Sequence, residues 1–242
     1  MKKINRIWIY PLILMEVLLM LQSSCKKDDD NNSTKDDIIF NPDLTYGSLT
    51  DIDGNIYKTI TIGSQTWMAE NLKTTRFKDG TSIPFVQNTD DWNNLLTPGY
   101  CWYNNDSAYK KNYGALYNWY AVNEGKIAPS GWHVAKDSEW LTLLNYLGGN
   151  YIAGGKLREI GKTHWGSVGS PASNESGFTA LPGGLRYANG LYTLISSDGF
   201  WWSTTAQSND FAYGFYIYLN SNIANHDLYN VTYGLSVRCV KD

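Results

Sequence analysis

A stretch of about 195 residues, from Gly47 to Asp242, contains no Pro/Gly/Ser-rich linker, charge block or internal repeat, and this length is typical of one domain. This stretch holds most of the chain's 10 Trp and 18 Tyr residues. Burying so much apolar surface can offset the conformational entropy lost on folding, so the stretch is not expected to be disordered. The formal net charge of -3 leaves no basic footprint for nucleic acid. We therefore predict a single folded domain over residues 47–242.

The first 24 residues have the layout of a signal peptide. Lys2, Lys3 and Arg6 precede an apolar run over residues 7–21, and the sequence Gln-Ser-Ser-Cys follows this run at residues 22–25. The small residues before Cys25 resemble a bacterial lipobox, where signal peptidase cuts and the Cys is diacylated. A membrane span is disfavoured because Pro and Glu interrupt a run already shorter than roughly 20 residues. We predict lipidation at Cys25, and an ordinary secretory signal is the alternative.

The residues from Cys25 onward are predicted to form a disordered polar tether over residues 25–46. Its first part, Lys26-Lys27-Asp28-Asp29-Asp30, resembles the acidic surface-export signal of Bacteroidetes lipoproteins. The alternative is a solvated spacer on a periplasm-facing anchor. Without residues 1–24 the chain has 17 basic and 22 acidic residues, a net charge of -5. We predict an outer-membrane, lipid-anchored protein at the cell surface, with the membrane as its partner.

The spacing of apolar residues predicts two main helices. One covers residues 114–123, and the other covers 137–147 with Trp140, Leu141, Leu144 and Leu147 as its apolar stripe. Asp137 is the expected N-cap, and Gly148-Gly149 ends the helix. A short helical segment is expected around residues 156–160.

Strand patterns dominate the C-terminal third. Residues 211–219 are almost wholly aromatic and aliphatic, and residues 231–239 alternate apolar and polar with Cys239 facing inward. Nearer the N-terminus, Asp53-Gly54-Asn55 predicts the turn of a β-hairpin within residues 50–62. The Asp51–Asn55 segment is not an EF-hand loop, because Gly54 falls at the fourth position instead of the sixth. The fold class is α+β with a mainly C-terminal sheet.

Seven segments, in order along the chain, resemble the Fibrobacter succinogenes major paralogous (FISUMP) domain of surface lipoproteins. They are residues 62–72, 100–106, 113–119, 129–134 with 138–140, 181–186, 201–203 and 233–240. The resemblance implies a fold related to C-type lectins and to the sulfatase-modifying formylglycine-generating enzymes. Two positions depart from the family pattern: Ala135-Lys136 replaces Pro-Thr before the helix, and Ala128 replaces a Cys found in many members.

Cys101 and Cys239 are the two cysteines left once Cys25 is lipidated. An even pair in an exported domain favours a disulfide, whose loop of about 140 residues would stabilise the fold by roughly 4 to 5 kcal/mol. The alternative is two buried thiols. The three His residues lack the spacing of a zinc site, so no metal is predicted.

Glycan binding is the leading functional hypothesis, because aromatic rings stack on sugar rings and Asn or Asp side chains bond hydroxyl groups. Calcium has no supporting motif, since the calcium-lectin signatures are absent, and no other cofactor is predicted. No catalytic constellation is recognisable, so we predict a non-enzymatic protein that binds an extracellular glycan or protein. The alternatives are a hydrolase or oxidase on the same scaffold and a passive structural protein. The candidate ligand-binding residues are Trp92, Trp102, Tyr103, Asn104, Asn105, Asp106, Trp165 and Tyr187.

Overall fold

The computed structural model describes residues 37–166 and 171–242. The predicted signal peptide, the predicted lipidation site Cys25 and the predicted export segment Lys26–Asp30 lie outside the described residues. The described residues belong to one compact unit. None of the helices within them has the length and apolar character of a membrane span.

The described chain folds into five α-helices and twelve β-strands, which confirms a mixed α+β class. The helices are α1 (Thr89–Asn93), α2 (Lys110–Tyr113), α3 (Trp119–Asn123), α4 (Asp137–Tyr146) and α5 (Asn150–Leu157). The strands are β1 (Gly47–Thr50), β2 (Ile56–Ile62), β3 (Gln65–Met68), β4 (Tyr100–Cys101), β5 (Leu116–Tyr117), β6 (Trp132–Val134), β7 (Gly183–Arg186), β8 (Tyr192–Ile195), β9 (Asp198–Ala206), β10 (Phe211–Tyr218), β11 (Ala224–Asn230) and β12 (Cys239–Lys241).

The strands of the described chain form two five-stranded sheets and one short pair. The first sheet has the order β1-β2-β3-β12-β6, the second β11-β10-β9-β7-β8, and β4 pairs with β5. Most pairings are antiparallel, and β7 runs parallel to β9. The prediction of a mainly C-terminal sheet therefore holds for the second sheet, whereas the first joins the two ends of the domain.

The predicted hairpin within residues 50–62 is confirmed as β1 and β2. Asp51 Oδ1 accepts hydrogen bonds of 2.9 Å from the backbone N–H groups of Asp53 and Asn55. Gly54 has a φ of +81°, a conformation that glycine adopts without steric cost. The Asp-rich segment is thus a turn closed by its own first side chain.

Helix α4 forms where its apolar spacing predicts it, and its buried residues are Trp140, Leu143 and Leu144. Leu141, expected in the stripe, is partly exposed. The N-cap is Lys136, because Glu139 Oε2 accepts a 2.8 Å hydrogen bond from the Lys136 N–H. Asp137 is instead the first helical residue, so its prediction as the cap was wrong. The short helix expected around residues 156–160 was misplaced: α5 covers Asn150–Leu157 and overlaps the expected segment only at residues 156 and 157.

The helix predicted over residues 114–123 was wrong in its first half. Leu116 and Tyr117 form β5 and pair with Cys101 and Tyr100. Helix α3 begins only at Trp119. Its N-cap is Asn118, whose Oδ1 accepts a hydrogen bond from the Ala121 N–H. Pairing with a distant strand therefore prevails over the local helical spacing.

The single strand predicted over residues 231–239 was also wrong. The segment makes isolated bridges at Gly234, Leu235 and Ser236, and regular pairing begins only at β12. Every residue from Gly234 to Val240 is buried. The polar residues of the alternation, Ser236 and Arg238, are therefore inside the protein, and the pattern did not mark a solvent-facing side.

Candidate functional site

The three tryptophans proposed as ligand-binding residues are core side chains. Trp92, Trp102 and Trp165 are 0%, 7% and 3% exposed. Trp92 lies under the Arg186 guanidinium at 4.4 Å, and Trp165 Nε1 donates a 2.9 Å hydrogen bond to the Ala180 carbonyl. Their ring faces are covered by protein, so the expectation that they stack on a ligand is corrected.

The loop after Trp102 uses most of its polar groups to hold its own shape. Tyr103 is buried, and Asp106 Oδ1 accepts a hydrogen bond from the Ala108 N–H. The amide of Asn105 donates to the Gln87 carbonyl, and its Oδ1 accepts from the Tyr192 hydroxyl at 2.8 Å. Asn104 is exposed with a φ of +51°. Of the predicted residues, Asn104, Asp106 and Tyr187 remain exposed to solvent, and Tyr187 packs edge-on against Tyr233.

Cys101 and Cys239 are free, buried thiols, so the predicted disulfide is not formed. Cys101 lies in β4 and packs in a cluster with Trp92, whereas Cys239 lies in β12 and pairs with Val134. The two thiols thus belong to different sheets. Burial raises the pKa of both thiols, which keeps them protonated and unreactive.

The second sheet brings together a set of tyrosines that the sequence analysis did not single out. Cross-strand register places Asp198 opposite Tyr218, and Asp227 opposite Gly214. Because side chains alternate along a strand, residues 198, 214, 216, 218, 227 and 229 share one side of the sheet. We call Asp198, Tyr216, Tyr218, Asp227 and Tyr229 the tyrosine face.

The rings of the tyrosine face are held by close packing. Tyr216 and Tyr218 stack with centroids 4.5 Å apart, and Tyr229 packs edge-on against Phe200 at 5.9 Å. A Cβ at Gly214 would come within 2.7 Å of the Tyr229 ring, so glycine is required for that ring to lie across the strand. Tyr218 is 40% exposed, and Tyr216 and Tyr229 are half-buried. The face therefore presents ordered aromatic surface to solvent.

The hydroxyl groups of these three tyrosines are available to a ligand. Among the described residues, no group hydrogen-bonds to the hydroxyls of Tyr216, Tyr218 and Tyr229. Burial raises the pKa of Tyr218 and Tyr229, and the neighbouring Tyr and Asp side chains raise it further. Burial also raises the pKa of Asp198. Phenols and carboxylates thus converge in one partly desolvated cluster.

A concave region lies beside the β1–β2 hairpin and has a volume of about 280 Å³. Its charged lining residues are Asp51, Arg76 and Lys78. Arg76 Nε is bonded to Asp53 at 2.5 Å, so the two cations are matched by two carboxylates. The positive and negative charges at this concave region therefore balance. For that reason the region supports a ligand-binding proposal less strongly than the tyrosine face does.

Two histidine clusters connect segments of the fold. His133 lies between Glu139 and Asp242, with nitrogen–oxygen distances of 2.8 and 2.6 Å. Burial alone would lower the pKa of His133, but its hydrogen bonds to the two carboxylates outweigh burial and raise it. His164 Nδ1 lies 2.7 Å from Glu159, and both residues are buried. In residues 37–166 and 171–242, no three His, Cys, Asp or Glu side chains are grouped to hold a metal ion.

Comparison with models of known protein families identifies the family of this chain. The model described as the Fibrobacter succinogenes major domain matches residues 60–241, which is most of the chain. The chain belongs to this family. The resemblance drawn from the seven sequence segments is thereby confirmed. No curated protein and no solved structure matches the chain.

The motif arginines of this Fibrobacter succinogenes major domain are structural. Arg186 and Arg238 are both fully buried, and within the described chain neither forms an ion pair with a carboxylate. Arg186 donates to the carbonyls of Val86, Gln87, Asn88 and Gly190. Arg238 donates to Asn71 and to the carbonyls of Met68, Phe178 and Thr179. Each guanidinium thus satisfies backbone carbonyls that include some distant from it in sequence, Val86–Asn88 for Arg186 and Met68 for Arg238.

Two sequence signals could have indicated the tyrosine face of this domain. Tyr216 and Tyr218 alternate within a predicted strand, which places them on one side of it. The segment from Tyr187 to Val237 contains no Lys or Arg, and its acidic residues are Asp198, Asp210 and Asp227. What the sequence does not reveal is the register that brings Asp198 and Asp227 to the same side as the tyrosines.

Proposed function

We propose that this chain is a lipid-anchored outer-membrane protein at the cell surface, and that its lectin-like domain binds an extracellular glycan through the tyrosine face. Membership of the Fibrobacter succinogenes major domain family favours a surface protein. The observation that carries the glycan proposal is the cluster of Tyr216, Tyr218 and Tyr229, with exposed ring surface and unbonded hydroxyls. Such rings contact the apolar side of a sugar, and the hydroxyls and carboxylates bond its polar edge.

The binding prediction is tested with Tyr218→Ala. The full chain, purified in detergent, is screened on a glycan array with and without calcium, and the affinity for the best glycan is measured by calorimetry. Loss of the ring is expected to weaken binding about tenfold, because an aromatic contact contributes on the order of 1 kcal/mol beyond its buried area. Tyr146→Ala is the matched control, since Tyr146 is 65% exposed in α4, away from the tyrosine face.

Two results would contradict the proposal. One is the absence of binding to any glycan by the folded wild-type chain. The other is equal weakening by Tyr218→Ala and Tyr146→Ala, because that would place the ligand elsewhere.

The anchor is tested by Cys25→Ala. Without the thiol there is no site for diacylation, so the variant is expected to leave the membrane fraction and appear in the soluble fraction. Fractionation followed by immunoblotting measures this, and protease accessibility of intact wild-type cells reports surface display. A Cys25→Ala variant that stays in the membrane fraction would rule out lipidation as the anchor.

A further inference from the structure

The tyrosine face carries negative charge that no cation of the described residues neutralises. Within the described chain, neither Asp198 nor Asp227 forms an ion pair. The Tyr187–Val237 segment, which supplies the whole face, has no Lys or Arg. His226 follows Asn225 on β11 but bonds to Asp137, at the start of α4, and its ring stacks on Tyr213. The Arg158 guanidinium is buried and donates to the backbone carbonyls of Tyr218 and Leu219.

The local bonds of the two carboxylates leave acceptor capacity free. Asp198 Oδ1 accepts from the Ser197 hydroxyl at 3.1 Å and from the Leu219 N–H at 3.4 Å. Asp227 Oδ1 accepts one 2.8 Å bond, from the Leu228 N–H. The Oδ2 atoms of both carboxylates have no hydrogen bond from the described residues. Each ionised carboxylate can accept about four hydrogen bonds, so both can still receive donors from a ligand.

We propose that the sugar recognised by the tyrosine face carries a protonated primary amine, so that the ligand class is a glycan containing free amino sugars. This inference rests on the proposed glycan-binding function and names its substrate class. An ammonium group is attracted by the electron-rich faces of tyrosine rings and by carboxylates, and the attraction is strongest where these groups are partly desolvated. The tyrosine face combines three such rings with two carboxylates on one side of one sheet.

Other sugar classes fit this face less well. An acidic sugar would bring a carboxylate against Asp198 and Asp227, which is unfavourable between like charges. A neutral sugar would cover the same carboxylates without supplying a positive charge, so their loss of hydration would be compensated only by hydroxyl groups. A sugar with an ammonium group offers the ring surface, the hydroxyls and the charge together.

The test compares oligosaccharides that differ only at the amine. Calorimetry measures binding of the full chain to glucosamine oligomers, to N-acetylglucosamine oligomers of equal length and to glucose oligomers. The glucosamine oligomers are expected to bind about tenfold more tightly than the acetylated ones. Asp227→Asn is expected to weaken glucosamine binding about fivefold to tenfold and to leave N-acetylglucosamine binding unchanged. Asp210→Asn is the control, because it removes the same charge from an exposed site in the β9–β10 turn.

The outcomes separate this inference from the function on which it depends. If the acetylated or neutral oligomers bind as tightly as the glucosamine oligomers and binding still requires Tyr218, the amine inference is overturned and glycan binding stands. If Asp227→Asn and Asp210→Asn have equal effects, the carboxylate contact is overturned. If lysine oligomers compete as well as glucosamine oligomers, the ligand class is a basic peptide and the sugar assignment fails. If no saccharide binds, the proposed function itself fails.

Discussion

Replacing Arg238 by Met is expected to lower the free energy of unfolding by about 3–5 kcal/mol. The side chain is 0% exposed, and its four bonds to Asn71, Met68, Phe178 and Thr179 have lengths of 2.7 to 3.0 Å. Methionine fills a similar volume but leaves these acceptors without a donor, and each buried acceptor left unpaired costs on the order of 1–3 kcal/mol. Urea unfolding followed by tryptophan fluorescence measures the change.

Two further variants test whether the geometry of the Arg238 guanidinium, and not its charge alone, accounts for this loss of stability. Arg238→Lys keeps the charge but supplies a single nitrogen, so it is expected to recover less than half of the loss. Arg76→Met removes a 42% exposed side chain bonded to Asp53, and it is expected to cost less than about 1 kcal/mol. Equal losses for Arg238→Met and Arg76→Met would show that the buried hydrogen bonds contribute little.

The parts of the fold that could be predicted from the sequence are those fixed by nearby residues. Helix α4 follows from the spacing of Trp140, Leu144 and Leu147, with a glycine stop immediately after it. The β1–β2 hairpin follows from Asp51 and Gly54, whose turn is closed by bonds within five residues. In these segments the local preferences and the tertiary structure agree.

The predictions that failed depended on distant partners. Leu116 has helical spacing to Trp119 but pairs with Cys101 across an intervening loop. Ser236 and Arg238 sit at the polar positions of an alternating pattern, yet both are buried because they bond to other segments. Cys101 and Cys239 are an even pair, which favoured a disulfide, but the fold places them in different sheets. Sequence periodicity carries no information about such non-local pairings.

The position of the proposed site could not be predicted from the sequence. The abundance of aromatic residues led to the prediction of Trp92, Trp102 and Trp165 as ligand-binding residues, but these rings fill the core. A tryptophan in a polar loop sequence gives no local sign of whether its ring packs inward. The tyrosine face instead depends on the register of β9, β10 and β11, which joins Asp198 and Tyr218 across 20 positions of sequence.

The aromatic core under α4 supports the second large prediction. Trp140 stacks on Phe215 with centroids 4.4 Å apart and planes 7° apart, and it also contacts Trp67 at 4.7 Å. Trp140→Ala removes a ring that is 1% exposed, so it is expected to lower the free energy of unfolding by about 3–5 kcal/mol. Thermal and urea unfolding of the purified chain measure the loss. The exposed Tyr151→Ala, on α5, is expected to change stability by less than about 0.5 kcal/mol.

A matched pair of conservative variants separates ring packing from hydrogen bonding in this cluster. Trp140 Nε1 is buried and has no acceptor among the described residues, whereas Trp201 Nε1 donates a 2.8 Å hydrogen bond to Asn71. Both side chains are fully buried, so replacement by Phe removes a similar ring area from each. Trp140→Phe also removes an unsatisfied donor and is expected to cost less than about 1.5 kcal/mol. Trp201→Phe is expected to cost about 1 kcal/mol more, the net contribution of one buried hydrogen bond. Equal costs would mean that Trp201 stabilises the domain by packing alone.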